Sequence, residues 1–393
     1  MKPTVLILEV HTKASLPVIE SAHRHGRRVI AGSPARCCTG MFSRYPDERV
    51  VYPHPTKEAP AFRDWLRGFL RERRPDMLYP AGDPVTAVCA EMQDELRQWT
   101  RLVLPPLEAF NVGRSKVGTM KAAVRAGVAI PDTYYFDDET PAQVAARIRY
   151  PCLIKPSISA GARGITRIES AEELLRELPG LQQQFGECYV QDYVPQTGMQ
   201  YKVDMIMTRE GQMLAGVAYE KLRYYPPNGG SSVLNRTADR PDIVEAAAAV
   251  ARTIGWHGFI DFDFITDPRD EVVKLMEINP RFPESFRATY AAGLDMVEMM
   301  WELAHDRVPT PVKGYRIGEY LRFLPGDVMW LLTSKERGQH WRSWLTFFAR
   351  NLHYQVCSFR DPGAIVGYLA ENILILFDRR QRKARFRTEQ ARR

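Results

Sequence analysis

The pattern of apolar and polar residues predicts strands that alternate with helices over the first 105 residues. Short apolar runs there are separated by amphipathic stretches, which is typical of a parallel sheet with helices on its faces. The predicted strands are 4–10, 28–31, 50–52, 77–79 and 102–104, and the predicted helices are 15–25, 59–71 and 84–99. Further along the chain, helical periodicity predicts amphipathic helices at 171–185 and 241–255.

The clearest strand alternation predicts a β-hairpin between residues 258 and 287. Apolar and polar residues alternate over 259–265 and over 272–279, and turn-forming residues separate the two runs. In a register centred near Asp270, the apolar side chains pack beneath the hairpin and the polar side chains share its outer face. The apolar set is Ile260, Phe262, Phe264, Met276 and Ile278.

The outer face of this hairpin carries three carboxylates and an amide, from Asp261, Asp263, Glu277 and Asn279. Mg²⁺ binds oxygen ligands, usually one or two carboxylates together with phosphate and water. Arg281 follows the second strand, and an anion-binding cation beside a metal site indicates phosphate. A solvated hairpin face with scattered acids is the alternative interpretation.

Residues 277–281, Glu-Ile-Asn-Pro-Arg, resemble the E-x-N-P-R signature of the ATP-grasp superfamily. The resemblance implies that Asp263, Glu277 and Asn279 bind one or two Mg²⁺ ions, with Mn²⁺ as an alternative, and that the metal bridges the phosphates of ATP. It also implies an acyl phosphate that a nucleophile attacks. Arg281 would then be catalytic, because it could stabilise charge on the transferring phosphoryl group and on the tetrahedral intermediate.

Two lysines lie in segments that resemble the phosphate-binding lysines of the same superfamily. Lys116 precedes a predicted helix, and Ser115 replaces the aspartate that usually comes before this lysine; Lys121 is a weaker candidate. Lys155 follows an apolar strand in the sequence Tyr-Pro-Cys-Leu-Ile-Lys-Pro of residues 150–156. The resemblance assigns phosphate binding to both main candidates and a catalytic role to Lys155.

Residues 159–165, Ser-Ala-Gly-Ala-Arg-Gly-Ile, resemble the glycine-rich loop that closes over the phosphates in ATP-grasp proteins. Glycines allow backbone N–H groups to approach an anion closely. The resemblance assigns phosphate contacts to Gly161 and Gly164, and both phosphate binding and catalysis to Arg163. A plain hairpin turn is the alternative.

Residues 188–195 are predicted to form a strand that breaks into a loop, and they resemble the superfamily hinge whose backbone binds adenine. Asp192 corresponds to the usual hinge glutamate. Gln191, Tyr193 and Val194 complete the implied adenine contacts, and Gln200 occupies the position of the acid that usually binds ribose.

Five residues are predicted to contact substrate. Asp83 ends a strand and opens a helix, where ligands bind in open α/β sheets, although a helix N-cap explains it equally well. Ser231 and Ser232 lie in a loop that could turn a hairpin or donate hydrogen bonds to phosphate and the acyl group. Glu284 replaces a glycine of the superfamily pattern and suggests an amine- or cation-bearing substrate. Arg287 either holds a substrate carboxylate or pairs with Glu284.

Charge and cysteine content narrow the class of protein. Residues 379–393 contain eight basic residues and one acid, which accounts for the whole net charge of +7, so a nucleic-acid-binding core is not expected. The apolar run 365–377 is too short to span a bilayer. With the basic tail it could bind an anionic membrane surface, or the tail could be disordered and solubilising.

Six cysteines without C-x-x-C spacing indicate reduced thiols in the cytoplasm, with the inner membrane face as an option.

The sequence therefore predicts an α/β fold. Its expected parts are a Rossmann-like parallel-sheet domain (1–108), a small ATP-grasp subdomain (109–191), a central ATP-grasp subdomain (192–312) and a helical C-terminal extension with a basic tail (313–393). The expected function is an ATP-dependent ligase that joins a small-molecule carboxylate to an amine, with a homodimer as an option. The alternatives are a carboxylase, a phosphoryl transferase, and a non-catalytic ATP-binding protein at a membrane surface.

Overall fold

Three β-sheets organise the chain, and the first of them is parallel. A computed structural model describes residues 2–137, 139–159, 163–227, 231–357 and 360–377. The N-terminal elements are β1 (Thr4–Leu8), α1 (Ser15–Arg24), β2 (Arg28–Ser33), β3 (Glu48–Val51), α2 (Ala59–Arg73), β4 (Met77–Pro80), α3 (Asp83–Glu91) and α4 (Gln93–Leu96). The strand order is β3-β2-β1-β4 and every pairing is parallel, which confirms the predicted sheet.

One predicted strand of this unit is wrong. Residues 102–104 do not form a strand, and only Arg101 makes an isolated parallel bridge, to Met77. Pro105 and Pro106 follow immediately, and a proline has no N–H group to continue a ladder. Apolar character at 102–104 instead reflects burial of an extended segment that leads into the next helix.

A second sheet, antiparallel throughout, follows in the chain. Its region contains α5 (Leu107–Arg114), α6 (Lys116–Arg125), β5 (Thr133–Tyr134), α7 (Pro141–Arg147), β6 (Cys152–Pro156), β7 (Thr166–Ile168), α8 (Ala171–Phe185) and β8 (Cys188–Asp192). The strand order is β5-β8-β6-β7. Helix α8 has the predicted bounds, and the Ser170 side chain caps it by accepting from the Glu173 N–H at 3.2 Å.

The third sheet has seven strands and forms the floor of the main cleft. Its central elements are β9 (Gln200–Met207), β10 (Met213–Tyr225), β11 (Ser231–Thr237), α9 (Pro241–Thr253), β12 (Gly258–Thr266), β13 (Val273–Asn279), α10 (Arg287–Ala291) and α11 (Met296–Ala304). Apolar side chains of β9 and β12 share one buried core with Leu6 and Leu78 of the parallel sheet. The N-terminal unit is therefore packed directly against the strands that carry the cleft.

The C-terminal extension is not purely helical, which corrects the prediction. It comprises β14 (Tyr320–Arg322), α12 (Leu324–Thr333), α13 (Arg337–Trp344), β15 (Leu352–Tyr354) and α14 (Pro362–Phe377). The two strands complete the third sheet, in the order β13-β12-β9-β10-β11-β14-β15. Three-residue strands are too short to show alternation, so the sequence pattern did not reveal them.

A buried charge cluster fixes this extension to the central sheet. Asp327 accepts hydrogen bonds from Arg223 of β10 at 2.8 Å and from Arg322 of β14 at 2.5 Å. All three side chains are buried, and the two guanidinium groups lie over aromatic rings of the extension. In the part of the chain that the structure describes, no helix meets the length and apolarity required to cross a bilayer.

Candidate active site

The predicted hairpin is confirmed, and its acidic face lines a large cleft. Asp263 pairs with Glu277, and Asp261 pairs with Asn279, across β12 and β13. A β-bulge interrupts the register after Asp263 and leaves Met276 without a cross-strand partner. Leu275, which is fully buried, therefore takes the place in the core that was predicted for Met276, and Met276 faces the cleft instead.

Two lysines that the sequence analysis missed surround Asp263. The Lys202 ammonium lies 2.7 Å from Asp261 Oδ2 and 2.8 Å from Asp263 Oδ2, and Lys221 contacts the other oxygen of Asp263. Burial alone would raise the pKa of Asp263, but the two lysines hold it well below its usual range. Polar and apolar residues alternate along β9, with Gln200, Lys202 and Asp204 at the polar positions. This alternation is the sequence signal that could have revealed Lys202.

Two further carboxylates are fully buried beneath this layer. Burial raises the pKa of Asp261 well above its usual range, although Lys202 opposes the shift. Burial also raises the pKa of Asp204 to about 6, despite hydrogen bonds from the Thr289 and Tyr219 hydroxyls. Asn279 Nδ2 donates to Asp261 Oδ2 at 2.8 Å and to Asp263 Oδ2 at 3.0 Å, which fixes its amide at the cleft floor.

The two predicted phosphate-binding lysines converge on the hairpin from the small subdomain. Lys116 Nζ lies 3.4 Å from Glu277 Oε2 and donates to the Ser159 carbonyl at 3.1 Å. Lys155 Nζ donates to Gln191 Oε1 at 2.6 Å. Burial lowers the pKa of Lys155 to about 8, with Glu277 opposing this shift and Lys116 adding to it. Lys121 lies apart and is paired with Asp137 at the surface.

The glycine-rich segment is described in part. Gly161 lies outside the described residues, whereas Ser159 and Ile165 on either side line the cleft. Gly164 has a φ of +77°, and a Cβ there would lie 2.7 Å from Pro156 Cγ, so a side chain does not fit. Arg163 is exposed and is not among the residues that line the cleft.

The hinge residues divide by the direction of their side chains. Gln191 is fully buried beside Lys155, whereas Asp192 faces away and bonds Arg269 at 2.6 Å. Neighbouring strand residues point to opposite faces, so Gln191 rather than Asp192 directs its side chain toward the cleft lysines. The Val194 N–H meets no acceptor among the described residues, and Gln200 lines the cleft with its amide donated to Gln196 at 2.8 Å.

The cleft between these elements has a volume of about 610 Å³. It is lined by residues of the N-terminal unit, the small subdomain, the hairpin and β11, and several of these are predicted substrate contacts. The predicted residues on its wall are Asp83, Lys116, Lys155, Gln200, Ser231, Ser232, Asp263, Glu277, Asn279, Arg281 and Glu284.

Arg281 and Arg287 occupy different places. Arg281 Nε lies 2.8 Å from Asp83 Oδ1 at the cleft wall. Arg287 pairs with Glu20 at 2.9 Å and lines a separate cavity, so the alternative that it pairs with Glu284 is wrong. Glu284 instead pairs with Lys13 at 2.8 Å. Arg287 begins α10, and the helical turn directs its side chain toward α1 rather than toward the cleft.

The oxygen donors of the hairpin fit one Mg²⁺ that is shared with phosphate. Among the described residues, no three His, Cys, Asp or Glu side chains form a ready metal site. Glu277 and the Asn279 carboxamide offer oxygen atoms at the cleft floor, while both oxygens of Asp263 are already bonded to lysines. Mg²⁺ normally uses one or two protein carboxylates and completes its shell with phosphate and water, which suits this set.

Comparisons with known proteins agree with this geometry. Residues 184–320 match the family described as "ATP-grasp in the biosynthetic pathway with Ter operon". The formate-dependent phosphoribosylglycinamide formyltransferase of Pectobacterium carotovorum is 30% identical over 113 residues, 28% of each chain. The same-named protein of Ignicoccus hospitalis is 22% identical over 58% of this chain. The chain spans only 28% and 59% of the length of these two relatives.

Solved structures share the fold over most of the chain. Biotin carboxylase from Campylobacter jejuni has a TM-score of 0.69 at 16% identity, covering 80% of this chain and 74% of that chain. L-amino acid ligase from Bacillus licheniformis has a TM-score of 0.59 at 17% identity, covering 77% of this chain and 74% of that chain. Residues 184–320 therefore carry a match to an ATP-grasp family, and the fold of the chain and the geometry of its cleft support its assignment to the ATP-grasp superfamily.

Proposed function

We propose that this protein is an ATP-dependent ligase that joins a carboxylate to an amine through an acyl phosphate and releases ADP and phosphate. The observation that carries the proposal is the meeting of Lys116, Lys155 and Arg281 with Glu277 and its neighbours in one cleft. Cations that bind phosphate beside oxygen donors for Mg²⁺ are the components that phosphoryl transfer requires.

Each group on the phosphate side has a distinct task. Lys116 and Lys155 bind phosphate oxygens, and Glu277 and Asn279 hold Mg²⁺, with Asp263 as a further ligand if Lys221 moves aside. When bound, Mg²⁺ would neutralise charge on the phosphates. Mn²⁺ could substitute for it. The contacts of Arg163, Gly161 and Gly164 with phosphate remain predictions.

The hinge supplies the adenine contacts in this proposal. Val194 has a backbone N–H that no described residue satisfies, so it can contact the base, whereas the Gln191 side chain is fully buried, bonded to Lys155 and Thr133, and would act by holding Lys155. The backbone of Tyr193 lies between them. Gln200 can bond the ribose hydroxyls through its amide. The Asp192 carboxylate accepts a hydrogen bond from Arg269, so Asp192 would order the hinge without contacting the base.

Acyl transfer would take place at the Arg281 end of the cleft. Asp83 positions the Arg281 guanidinium, which can stabilise negative charge on the tetrahedral intermediate. Ser231 and Ser232 line the opposite wall and can donate hydrogen bonds to the acyl group. Catalysis then consists of positioning and electrostatic stabilisation and needs no covalent bond to the enzyme.

The names of similar proteins support a carboxylate substrate. One is a formate-dependent formyltransferase that acts on a glycinamide, and another is an L-amino acid ligase. Both names describe a reaction in which a carboxylate is used. A similar biotin carboxylase domain was solved as a dimer with MgADP and bicarbonate, which supports Mg²⁺ and ATP here and makes a homodimer a further proposal.

The experiment measures ADP and phosphate release with Mg-ATP against a panel of amino acids, small carboxylates and amines. Glu277→Ala is the blank, and Glu172→Ala, on the exposed first turn of α8, is the matched control. Release that needs one carboxylate and one amine supports the ligase. Release that needs bicarbonate with a single acceptor shows a carboxylase instead. Binding of Mg-ATP without release of ADP or phosphate under any condition would favour the non-catalytic ATP-binding protein.

A peripheral membrane contact is a separate proposal. Val366, Leu369, Ile373 and Leu374 of α14 are each more than half exposed. The basic residues 379–393, which lie outside the described residues, follow this helix in the sequence after Asp378. An exposed apolar face next to a basic segment suits an anionic lipid surface. Flotation with phosphatidylserine vesicles should recover the full chain, and should lose it when Leu369 and Ile373 are changed to Ser.

A further inference from the structure

A second cavity, of about 240 Å³, lies behind the Asp83–Arg281 ion pair. Asp83, Pro84, Arg281 and Glu284 line both this cavity and the main cleft, so the two spaces meet at the ion pair. The cavity lies at the carboxyl ends of β1 and β4, where open parallel sheets bind ligands. It is therefore placed to hold a molecule that reacts beside Arg281.

Glu9 closes the floor of this cavity in an unusual conformation. Its φ of +62° lies in the left-handed region that residues other than glycine rarely adopt. Its side chain turns inward, and Glu9 Oε2 accepts the Val85 N–H at 3.2 Å in the first turn of α3. A Cβ on Gly82 would lie 2.6 Å from the same oxygen, so only glycine permits this arrangement.

The position of Glu9 determines which ligands the cavity accepts. The N-terminus of a helix at the end of a parallel strand is normally a place for an anion. Here the Glu9 carboxyl group already accepts the Val85 N–H in the first turn of α3, so a substrate carboxylate or phosphate would have to compete with it for that donor. Unusual backbone strain of this kind commonly marks a functional site.

The carboxyl oxygens on the cavity wall favour a ligand with N–H donors, although Glu9 is protonated up to about pH 8 and Glu284 is paired with Lys13. Three acids line it, Glu9, Asp83 and Glu284, against the single guanidinium of Arg281. Arg281 is already paired with Asp83. An amine entering the cavity would meet acidic groups on two sides and would lie next to the residue that binds the acyl group.

His11 is a histidine on this wall whose buried Nδ1 is unused. Its Nδ1 is buried and has no hydrogen-bond partner among the described residues. Burial lowers the pKa of His11, with His54 adding to the shift and Glu284 opposing it. The imidazole is therefore uncharged near neutral pH and can accept a proton. His54, on the same wall, differs because its Nδ1 already accepts the Thr56 N–H at 3.2 Å.

We propose that this cavity binds the amine substrate and that His11 Nδ1 accepts a proton from the amine nitrogen during acyl transfer. The proposal rests on the ligase function proposed above. It makes His11 a catalytic residue and assigns the selection of an amine to Glu9 and Glu284. The carboxylate substrate would then bind in the main cleft, on the other side of the Asp83–Arg281 pair.

The proton balance of the step defines the task of His11. The amine enters as the ammonium ion and gives one proton to solvent; the free amine then attacks the carbonyl carbon of the acyl phosphate, so a C–N bond forms and the carbonyl π electron pair moves to oxygen. The nitrogen then carries a positive charge and releases a proton to His11 Nδ1. Collapse of the intermediate breaks the C–O bond, and phosphate leaves with that electron pair. Hydroxylamine also loses a proton from nitrogen after it attacks, but its oxygen substituent makes that proton more acidic, so water can accept it and the help of His11 is needed far less.

The test compares two nucleophiles in wild-type protein and in His11→Asn. The carboxylate panel is incubated with Mg-ATP and either hydroxylamine or an alkylamine, and hydroxamate and amide are measured. In His11→Asn, hydroxamate should stay within about threefold of wild type, while amide should fall about 100-fold or more, the usual contribution of a general base. His23→Asn, at an exposed histidine of α1 outside the cavity, should reduce neither product more than about threefold.

Each result decides the proposal. Equal amide formation by His11→Asn and wild type overturns it. Loss of both products in a His11→Asn protein with unchanged Mg-ATP binding also overturns it, because His11 would then act before acyl transfer. A wild-type protein that makes no hydroxamate with any carboxylate overturns the ligase function, and this site with it. If His11→Asn is unfolded by circular dichroism, His11→Gln is assayed in the same way.

The preference for an amine has its own measurement. Glu284→Gln removes one negative charge from the cavity wall, and it should raise the KM for the alkylamine about tenfold while the KM for the carboxylate stays the same. A KM change for the carboxylate alone would place the carboxylate, not the amine, in this cavity and overturn the assignment. Glu298→Gln, whose carboxylate lies outside the cavity, is the control.

Discussion

Arg281 Nε lies 2.8 Å from Asp83 Oδ1, and this ion pair connects the end of the hairpin to the first residue of α3. The two side chains come from units far apart in the chain, yet both line the main cleft and the smaller cavity. The pair therefore determines where the guanidinium lies relative to both substrates. Because the side chains remain partly exposed, its value is in positioning rather than in stability.

Asp83→Asn tests this positioning role. We expect amide formation to fall about tenfold, because the unpaired guanidinium is free to move, while the free energy of unfolding changes by less than about 1 kcal/mol. Steady-state kinetics and urea unfolding provide the two measurements. Asp94→Asn, in the exposed Asp94–Arg97 pair, should change neither. Unchanged turnover in Asp83→Asn would show that Arg281 needs no partner.

Lys202→Met tests the charge balance beneath the hairpin. The substitution leaves Asp261 and Asp263 without the ammonium that lies within 2.8 Å of both. Removing one partner of a buried ion pair usually costs about 3–5 kcal/mol, so a loss of that size is expected in urea unfolding. Adding Asp261→Asn should recover part of the loss. A change below about 1 kcal/mol in Lys202→Met would mean that the carboxylates are held neutral without it.

The pKa of Lys155 predicts how nucleotide binding depends on pH. Burial lowers this pKa to about 8, so the side chain is a cation below that pH and loses its charge above it. The affinity for Mg-ATP should fall as pH rises beyond about 8, by up to about tenfold per unit, when measured by calorimetry. Lys155→Arg keeps its charge throughout this range and should bind with little pH dependence. A similar decline in both proteins would assign the effect to another group.

The pKa of Glu9 predicts a pH-dependent stability. Burial raises it to about 8 from the ordinary value of 4.5, with Asp83 adding to the shift and backbone N–H groups opposing it. The folded protein thus binds a proton that the unfolded chain has released, and this stabilisation is full below about pH 4.5 and is lost as pH rises through about 8.

Glu9→Gln keeps the neutral form at every pH. The unfolding free energy of wild type should therefore fall relative to Glu9→Gln between about pH 5 and pH 8, by several kcal/mol at most. Urea unfolding at the two pH values gives the comparison, and the exposed Glu172→Gln is the control. Parallel curves for wild type and Glu9→Gln would mean that Glu9 is ionised in the folded protein.

Local sequence patterns predicted the features that depend on neighbouring residues. The pairing of Asp263 with Glu277 follows from period-two alternation on both sides of a short turn. Even so, the alternation of apolar and polar residues did not reveal the bulge, which places Leu275 rather than Met276 in the core. Bulges depend on how the strand must bend against its neighbours, which a single strand does not encode.

Contacts between distant segments were beyond the sequence pattern. Lys202 and Asp263 are 61 residues apart and meet only because β9 and β12 are adjacent in the sheet. Arg287 follows the signature closely in sequence, yet its helix directs it toward Glu20 and a different cavity. Glu9 and His11 carried no motif, and their role depends on a backbone conformation that only the folded chain reveals.

The two short C-terminal strands also have a consequence for synthesis of the protein. Gln355, the residue after β15, lines the main cleft and donates a hydrogen bond to the Glu284 carbonyl. A chain still emerging from the ribosome can pair β12 with β13 before residues 320–355 are available, but the wall of its cleft is then incomplete and the edge of β11 is unpaired. Substrate would therefore bind in full only after the chain has been translated beyond residue 355.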